Sequence, residues 1–305
     1  MTATLTSIHR FPVKSCRGEA VGSAVVDPWG LDGDRRWMLV DGSGETLTAR
    51  EANRLVLLVP ELTTTGLRII APDLPPLDVA TPDPVAQTPV SMWGQRLSAA
   101  LAGPEADAWF SKALDRSVRL VHLDDPRRRP TSIEFSRADD RVSFADGYPL
   151  LLTTEESLTA LNDVVLGSSA TGRDPLPMTR FRPNVVVSGV EAWAEDDWRL
   201  VRIGDAVLRA VKGCARCVLT TIDPDTGVRG KEPIASLARI RRWDRKTWFG
   251  INLVPDTAGV TIHVGDELEV LESVPPGAGP IRPAAAPPRS GQVRRDDSGR
   301  PSPAP

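Results

Sequence analysis

Over the first hundred residues the chain runs in short stretches where apolar and polar positions alternate, cut by turn residues. Alternation at period two places every second side chain on one face, which is the pattern of a half-buried strand. Residues 1–10 already read this way, and residues 36–40, the Asp41-Gly-Ser-Gly44 turn and residues 45–49 predict a hairpin. Near residue 104 the period changes. Ala106, Trp109, Phe110, Ala113 and Leu114 recur at three- and four-residue spacing and predict a helix over about 104–115, followed by a strand over 118–123. Thr153-Thr-Glu-Glu156 has the form of a capping box and opens a second helix with Leu158, Leu161 and Val165 on one face. Residues 184–188 then read as a strand. Two stretches, 201–208 and 262–270, each set Gly-Asp between alternating apolar residues, so both are expected to be tight turns between paired antiparallel strands. Between them, Ile234, Leu237, Ala238 and Ile240 stand at helical spacing with arginines opposite, predicting an amphipathic helix against a sheet.

These elements give a mainly β fold with a few helices, of α+β class. It divides into a β-rich domain over residues 1–118 and a second domain over 119–272, with turns such as a small barrel needs and flanking helices. Residues 273–305 hold nine prolines, four glycines and no aromatic residue. Such a segment buries too little apolar surface to offset its ordering entropy, so a disordered tail is expected there.

Composition narrows the class. A formal net charge of -3, from 37 Lys+Arg and 40 Asp+Glu, excludes a nucleic-acid binder driven by bulk basicity. The N-terminus lacks a basic patch followed by an apolar run, and the greasiest stretch, residues 55–62, is broken by Pro60, so neither a signal peptide nor a membrane span is expected. Three cysteines, Cys16, Cys214 and Cys217, fit a reducing compartment, and the expected location is the cytoplasm.

The informative local feature is Lys212-Gly-Cys-Ala-Arg-Cys-Val-Leu-Thr-Thr-Ile222, a C-x-x-C between an alternating strand and a β-branched run that also reads as strand. Zinc needs four N/S ligands, and only Cys16 and the isolated His9, His122 and His263 remain. A thioredoxin-like pair opens a helix within a βαβ unit, whose N-terminus lowers the thiol pKa, whereas residues 218–222 read as strand, which leaves redox exchange a secondary reading. The third reading is one thiolate, favoured by Arg216 and Lys212, holding a soft, redox-active metal whose other ligands belong to a cofactor. A buried cysteine serving as a small apolar residue is the competing structural reading. Elsewhere, Lys14-Ser15 follows a strand end and suits either an anion or a solvated turn, and Phe181-Arg-Pro-Asn184 sets an arginine and an asparagine before an apolar strand, where they face a ligand or cap the strand. The arginines of Asp34-Arg-Arg36 and Asp125-Pro-Arg-Arg-Arg-Pro130 read as surface by default, and the tryptophans as core.

In order along the chain these clusters resemble one family. Phe11-Pro-Val-Lys-Ser-Cys16, Gly30-Leu-Asp-Gly-Asp-Arg-Arg-Trp37, Leu47-Thr-Ala-Arg50, Ser143-Phe-Ala-Asp-Gly-Tyr-Pro149, Phe181-Arg-Pro-Asn184, Ala194-Glu-Asp-Asp-Trp198, Cys214-Ala-Arg-Cys-Val-Leu-Thr-Thr-Ile-Asp-Pro224 and Phe249-Gly-Ile-Asn252 look like the motifs of MOSC-domain proteins that carry the N-terminal MOSC β-barrel domain. Within that family the chain is most similar to the mitochondrial amidoxime-reducing components and their bacterial relatives that detoxify N-hydroxylated bases.

The resemblance implies a molybdenum cofactor (Mo-molybdopterin) with Cys217 as the catalytic protein ligand of the metal, and Lys14, Ser15, Arg36, Asp146, Arg182, Asn184, Ala215, Arg216 and Asn252 as cofactor-lining residues. It implies an oxidoreductase that reduces small N-hydroxylated substrates by two electrons. Neither an iron–sulfur cysteine set, nor a nucleotide fingerprint, nor a pyridoxal-phosphate domain is expected in this chain, so electrons are expected from a separate ferredoxin- or flavoprotein-type donor. Three departures qualify it: the motif strand begins almost at Met1, without a targeting segment; the tail holds no cysteine; and position 215 is alanine where relatives often have serine. MOSC domains also form the C-terminal part of molybdenum-cofactor sulfurases, which leaves a cofactor or sulfur carrier without turnover as the alternative.

Overall fold

A computed structural model describes residues 3–167 and 174–283. Seven strands close into a barrel in the order Leu150–Thr154, Val185–Ser188, Ala3–Arg10, Glu267–Ser273, Trp198–Ile203, Ala206–Arg216 and Lys246–Pro255, the last pairing back with the first. One neighbouring pair is parallel, Leu150–Thr154 with Val185–Ser188. A parallel pair needs a crossover, and helix α2, Glu155–Gly167, lies between those two strands in the chain. Alternate residues such as Val201 and Ile203, and Ile251 and Leu253, fill the interior, and Leu5 and Ile8 join them across a register shift between Leu5 and Ser7. Closure leaves the barrel strands without free edges.

The other half is a four-stranded sheet, Trp37–Val40, Arg119–His122, Gln95–Leu101 and Gln87–Met92, with a three-stranded meander, Val59–Thr63, Gly66–Ala71 and Leu74–Ala80. Helix α1, Pro104–Leu114, packs Ala106, Phe110 and Ala113 into a core with Trp37, Leu39, Leu67 and Leu120. Pro104 fixes the first turn and Asp115, at φ 50°, ends it. The architecture is mainly β, as the pattern predicts.

Several local expectations need correction. The chain crosses the division at residue 118 in both directions. Ala3–Arg10 is a strand of the second barrel, with Leu5 opposite Val187, while Arg119–His122 pairs with Trp37–Val40 of the first half. Alternation reveals which face a residue takes and says nothing about its partner strand. The Gly204 turn does join a paired hairpin, with Ile203 opposite Ala206. The second Gly-Asp turn does not, because Val260–His263 pairs with Ser23–Asp27 and Glu267–Ser273 joins the barrel. The cap of α2 falls one residue later than the box suggests, with Thr154 Oγ1 accepting from the Ser157 backbone N–H at 3.1 Å. Helix α3, Ile234–Ile240, buries Ser236 and Leu237 but leaves Ile240 exposed.

The composition break at 273 is not the end of the packed chain. Gly213 N–H donates to Ile281 O at 2.9 Å, Ile281 packs against the barrel core, and Arg282 pairs with Asp244 at 3.0 Å. A side chain at position 213 would meet Pro280 Cβ at 2.6 Å, so the glycine is what lets this segment lie on the barrel. The remainder of the expected tail, 284–305, lies outside the described residues.

Candidate functional site

Strand Ala206–Arg216 runs through Cys214 and Arg216, with irregular register at 210–212 and 213–215 where it pairs with Lys246–Pro255. Residues 218–221, read as strand from their β-branched side chains, instead form a single 3-10 turn. Thr220 Oγ1 donates to Cys217 O at 2.9 Å and Thr221 Oγ1 to Val218 O at 2.7 Å. These local bonds give the backbone an alternative to a ladder. They fix Cys217 at the head of the turn with its side chain half-buried. Lys212, expected beside the cysteine, lies over the Phe135 ring at 4.5 Å. The group at the sulfur is Arg50, whose Nε donates to Cys217 Sγ at 3.4 Å. Burial pushes the Cys214 thiol up, with Arg216 only partly opposing it.

Arg50 belongs to a turn built by Thr48 and Glu51, in which Thr48 N–H and Oγ1 both donate to Glu51 Oε2, at 2.9 and 2.6 Å. Its Nη2 reaches Asp146 Oδ2 at 3.0 Å, and the other carboxylate oxygen takes Lys14 Nζ at 2.5 Å. The packed surroundings oppose charge on Asp146, yet Lys14, Arg50 and Arg35 hold its carboxyl well below the usual range. Lys14 is 4 % exposed, and burial draws its pKa down to about 8, an effect Asp146 only partly offsets. Arg129, expected at the surface, is buried and donates to the carbonyls of Ser143 and Ala145, shaping the loop that presents Asp146.

Lys14, Ser15, Asp146, Arg182, Asn184, Ala215, Arg216, Cys217 and Asn252 line one cleft together with Arg35, Arg180 and Thr220. Arg36 is not among them. Its Nε donates to Leu123 O at 2.9 Å and its Nη2 to Asp124 O at 3.0 Å, tying it to the chain beyond the sheet. Arg35 stands in the cleft instead, turned there by φ 50°, with Nη1 on Asp34 at 2.5 Å and on Asn184 Oδ1 at 3.1 Å. Asn184 spends its amide on the protein, since Nδ2 donates to His9 O and Oδ1 also accepts from the Leu151 N–H. Asn252 Nδ2 likewise donates to Lys212 O at 3.0 Å.

Among the cleft arginines of the described residues, Arg180 keeps a buried unbonded Nε, and Arg182 and Arg216 each keep a buried unbonded Nη2. Arg182, at φ 54°, donates Nη1 to Cys16 O at 2.6 Å, while its buried Nη2 has no hydrogen bond. Arg216 donates Nε to Phe249 O and Nη1 to Phe181 O, at 2.8 and 3.0 Å, and its Nη2 is also buried and unbonded. Neither forms an ion pair among the described residues. Burying such donors unmet is costly, so the cleft is built to receive an anionic or acceptor-rich group. Among the described residues no three His, Cys, Asp or Glu side chains converge on a metal ion, so a metal at Cys217 would take its other ligands from elsewhere.

Sequence reasoning missed Arg50, Arg35 and Arg180. The Leu47-Thr-Ala-Arg50 motif was a usable signal for the first. Nothing in Asp34-Arg-Arg36 distinguishes the two arginines before the backbone of Arg35 is known.

Fold and site together define a two-part, mainly β protein whose anion-seeking cleft is lined by two half-buried cysteines, Cys214 and Cys217. The chain belongs to the MOSC family: residues 2–117 match the MOSC N-terminal beta barrel domain and residues 139–269 the MOSC domain. It is 35% identical over 290 residues to human mitochondrial amidoxime-reducing component 1, covering 88% of this chain and 83% of that one. It is 33% identical over 282 residues to human mitochondrial amidoxime reducing component 2, covering 86% and 82%. Rice molybdenum cofactor sulfurase is 33% identical over 264 residues, which are 82% of this chain and 32% of that protein. The resemblance seen in the motifs is thus upheld over most of the chain. Among the described residues no helix is long and apolar enough to cross a membrane.

Proposed function

We propose that this chain binds the molybdenum cofactor in the cleft and reduces N-hydroxylated compounds such as amidoximes and hydroxylamines. The observation that carries the reading is the pair Arg182 and Arg216, each with a buried unbonded Nη2, on the same cleft as Cys217. Their donors, with Lys14, Ser15 and Arg35, suit a phosphate and the acceptor edge of a pterin. Cys217 would supply the thiolate to the metal. The bound group would provide two-electron redox chemistry and oxygen exchange.

The chain's own residues do the rest. Arg50 orients Cys217 Sγ, and Asp146 holds Arg50 in place. Reducing an N–OH group consumes two protons with its two electrons, and Lys14 Nζ, at a pKa of about 8, is a proton-bearing group on the same cleft. We place the protein in the cytoplasm on its cysteine usage, with electrons delivered by a separate ferredoxin or flavoprotein.

The test is protein made in a host competent for the cofactor. Metal analysis and pterin fluorescence should report about one cofactor per chain, and an amidoxime should be consumed with a strong artificial reductant but not with NADH alone. Cofactor without turnover would turn the reading to a carrier, and robust turnover with NADH and no other protein would overturn the electron-supply part.

A further inference from the structure

Trp93 stands where a core tryptophan does not. It occupies the tip of the hairpin joining Gln87–Met92 to Gln95–Leu101, at φ 54°, and Gly94 follows at φ 80°. Two successive left-handed residues make the tight hairpin turn that Asn and Gly relax into, and a bulky side chain is strained there. The residue is also 44 % exposed, so core burial does not account for its presence. Strain of this kind is retained where surroundings hold it, and the surroundings here are the site.

The Arg50 guanidinium lies 4.5 Å from the indole centroid and Lys14 Nζ 5.5 Å from it. Both cations are held by Asp146, and Arg50 Nε is the donor to Cys217 Sγ. The ring is therefore one guanidinium away from the sulfur, supplied by the N-terminal half while the cysteine comes from the barrel. Cation–π contacts fix the ring beside Lys14, which lines the cleft, and 44 % of the residue is exposed.

We infer that Trp93 is a substrate-binding wall: planar aromatic N-hydroxylated compounds stack on the indole with their N–OH end toward Cys217, and aliphatic ones, having no such face, are bound less well. This rests on the reductase reading above. Ring stacking of this kind contributes roughly tenfold or more in affinity.

The experiment measures binding of benzamidoxime and acetamidoxime to the cofactor-loaded chain by calorimetry, with kcat/KM alongside, for wild type, Trp93→Phe and Trp93→Gly. Glycine suits the left-handed backbone, so Trp93→Gly should melt no lower than wild type. Its benzamidoxime affinity and kcat/KM should fall about tenfold while acetamidoxime changes less than twofold, and Trp93→Phe should keep most of the aromatic preference. Equal losses for both compounds, or no change for either, overturn the inference and leave the reductase reading intact. A wild-type chain that binds and reduces neither compound overturns both.

Discussion

Cys214 and Cys217 sit three positions apart, both half-buried on the cleft, and differ in what surrounds the sulfur. Cys214 lies within a strand, where burial disfavours its thiolate, whereas Cys217 heads a turn with an arginine on its sulfur. Cys217→Ala should therefore remove most bound molybdenum and at least a hundredfold of N-reduction, while Cys214→Ala should keep both within a few-fold. Metal content per chain, measured on the two variants side by side, decides this, and identical behaviour would point to a dithiol. A second residue-scale prediction concerns Glu195, which is fully buried with Ser157 Oγ on Oε2 at 2.9 Å and no partner for Oε1. Burial, and then the neighbouring Asp196, raise its pKa from 4.5 to about 7. Because the neutral form is the one the fold favours, its contribution is complete below pH 4.5 and is lost as pH climbs through 7. Glu195→Gln should flatten that part of the stability profile and stabilise the protein at pH 8 by on the order of 2 kcal/mol. Denaturant titrations at pH 5 and pH 8 provide the check, and equal pH slopes in both proteins would refute it. The cysteine motif was legible in sequence because its residue types are rare and their spacing is fixed. Arg35 was not, because adjacent arginines differ only in backbone angle.

At the scale of elements, the helices and most strands were legible because each declares its own period, as the buried Ala106, Phe110 and Ala113 of α1 illustrate. What stayed hidden was settled by contacts from distant parts of the chain, or by local side-chain bonds that override propensity, as at Thr220 and Thr221. Gly250 is an element-level constraint of the first kind. It lies in strand Lys246–Pro255 at φ 75°, and a Cβ there would fall 2.6 Å from Leu152 O and 3.4 Å from Arg216 Nη2. The neighbouring strand carbonyl cannot move without breaking the pairing that closes the barrel, between Leu152 and Ile251. Gly250→Ala should lower stability by about 2 kcal/mol and shift Arg216, so cofactor retention should fall with it. A variant that melts like wild type would show that the barrel closes more loosely than this geometry implies.

For the molecule as a whole, the cleft exists only because the chain weaves between its two halves. Lys14, Arg35 and Arg50 follow the first barrel strand, Asp146 comes from the loop that precedes Leu150–Thr154, and Arg182, Arg216 and Cys217 belong to the barrel side. Residues 280–282 pack on the strand that carries Cys214. They hold Gly213, one residue before Cys214, through the Ile281 carbonyl, and Arg282 stacks at 5.6 Å on Trp243 while pairing with Asp244. Composition placed all of 273–305 in one class, yet only a structure could show that a proline-rich stretch supplies a carbonyl to the cysteine-bearing strand. Two truncations separate the parts. A chain ending at Pro283 retains every one of these contacts, so its melting temperature and artificial-reductant activity should match the full chain. A chain ending at Ser273 loses the Gly213 N–H partner, the Ile281 packing and the Arg282 pair together, and should melt several degrees lower with reduced cofactor occupancy. Equal melting temperatures and equal metal content for the two truncations would mean that residues 274–283 contribute nothing to the strand that carries the cysteines.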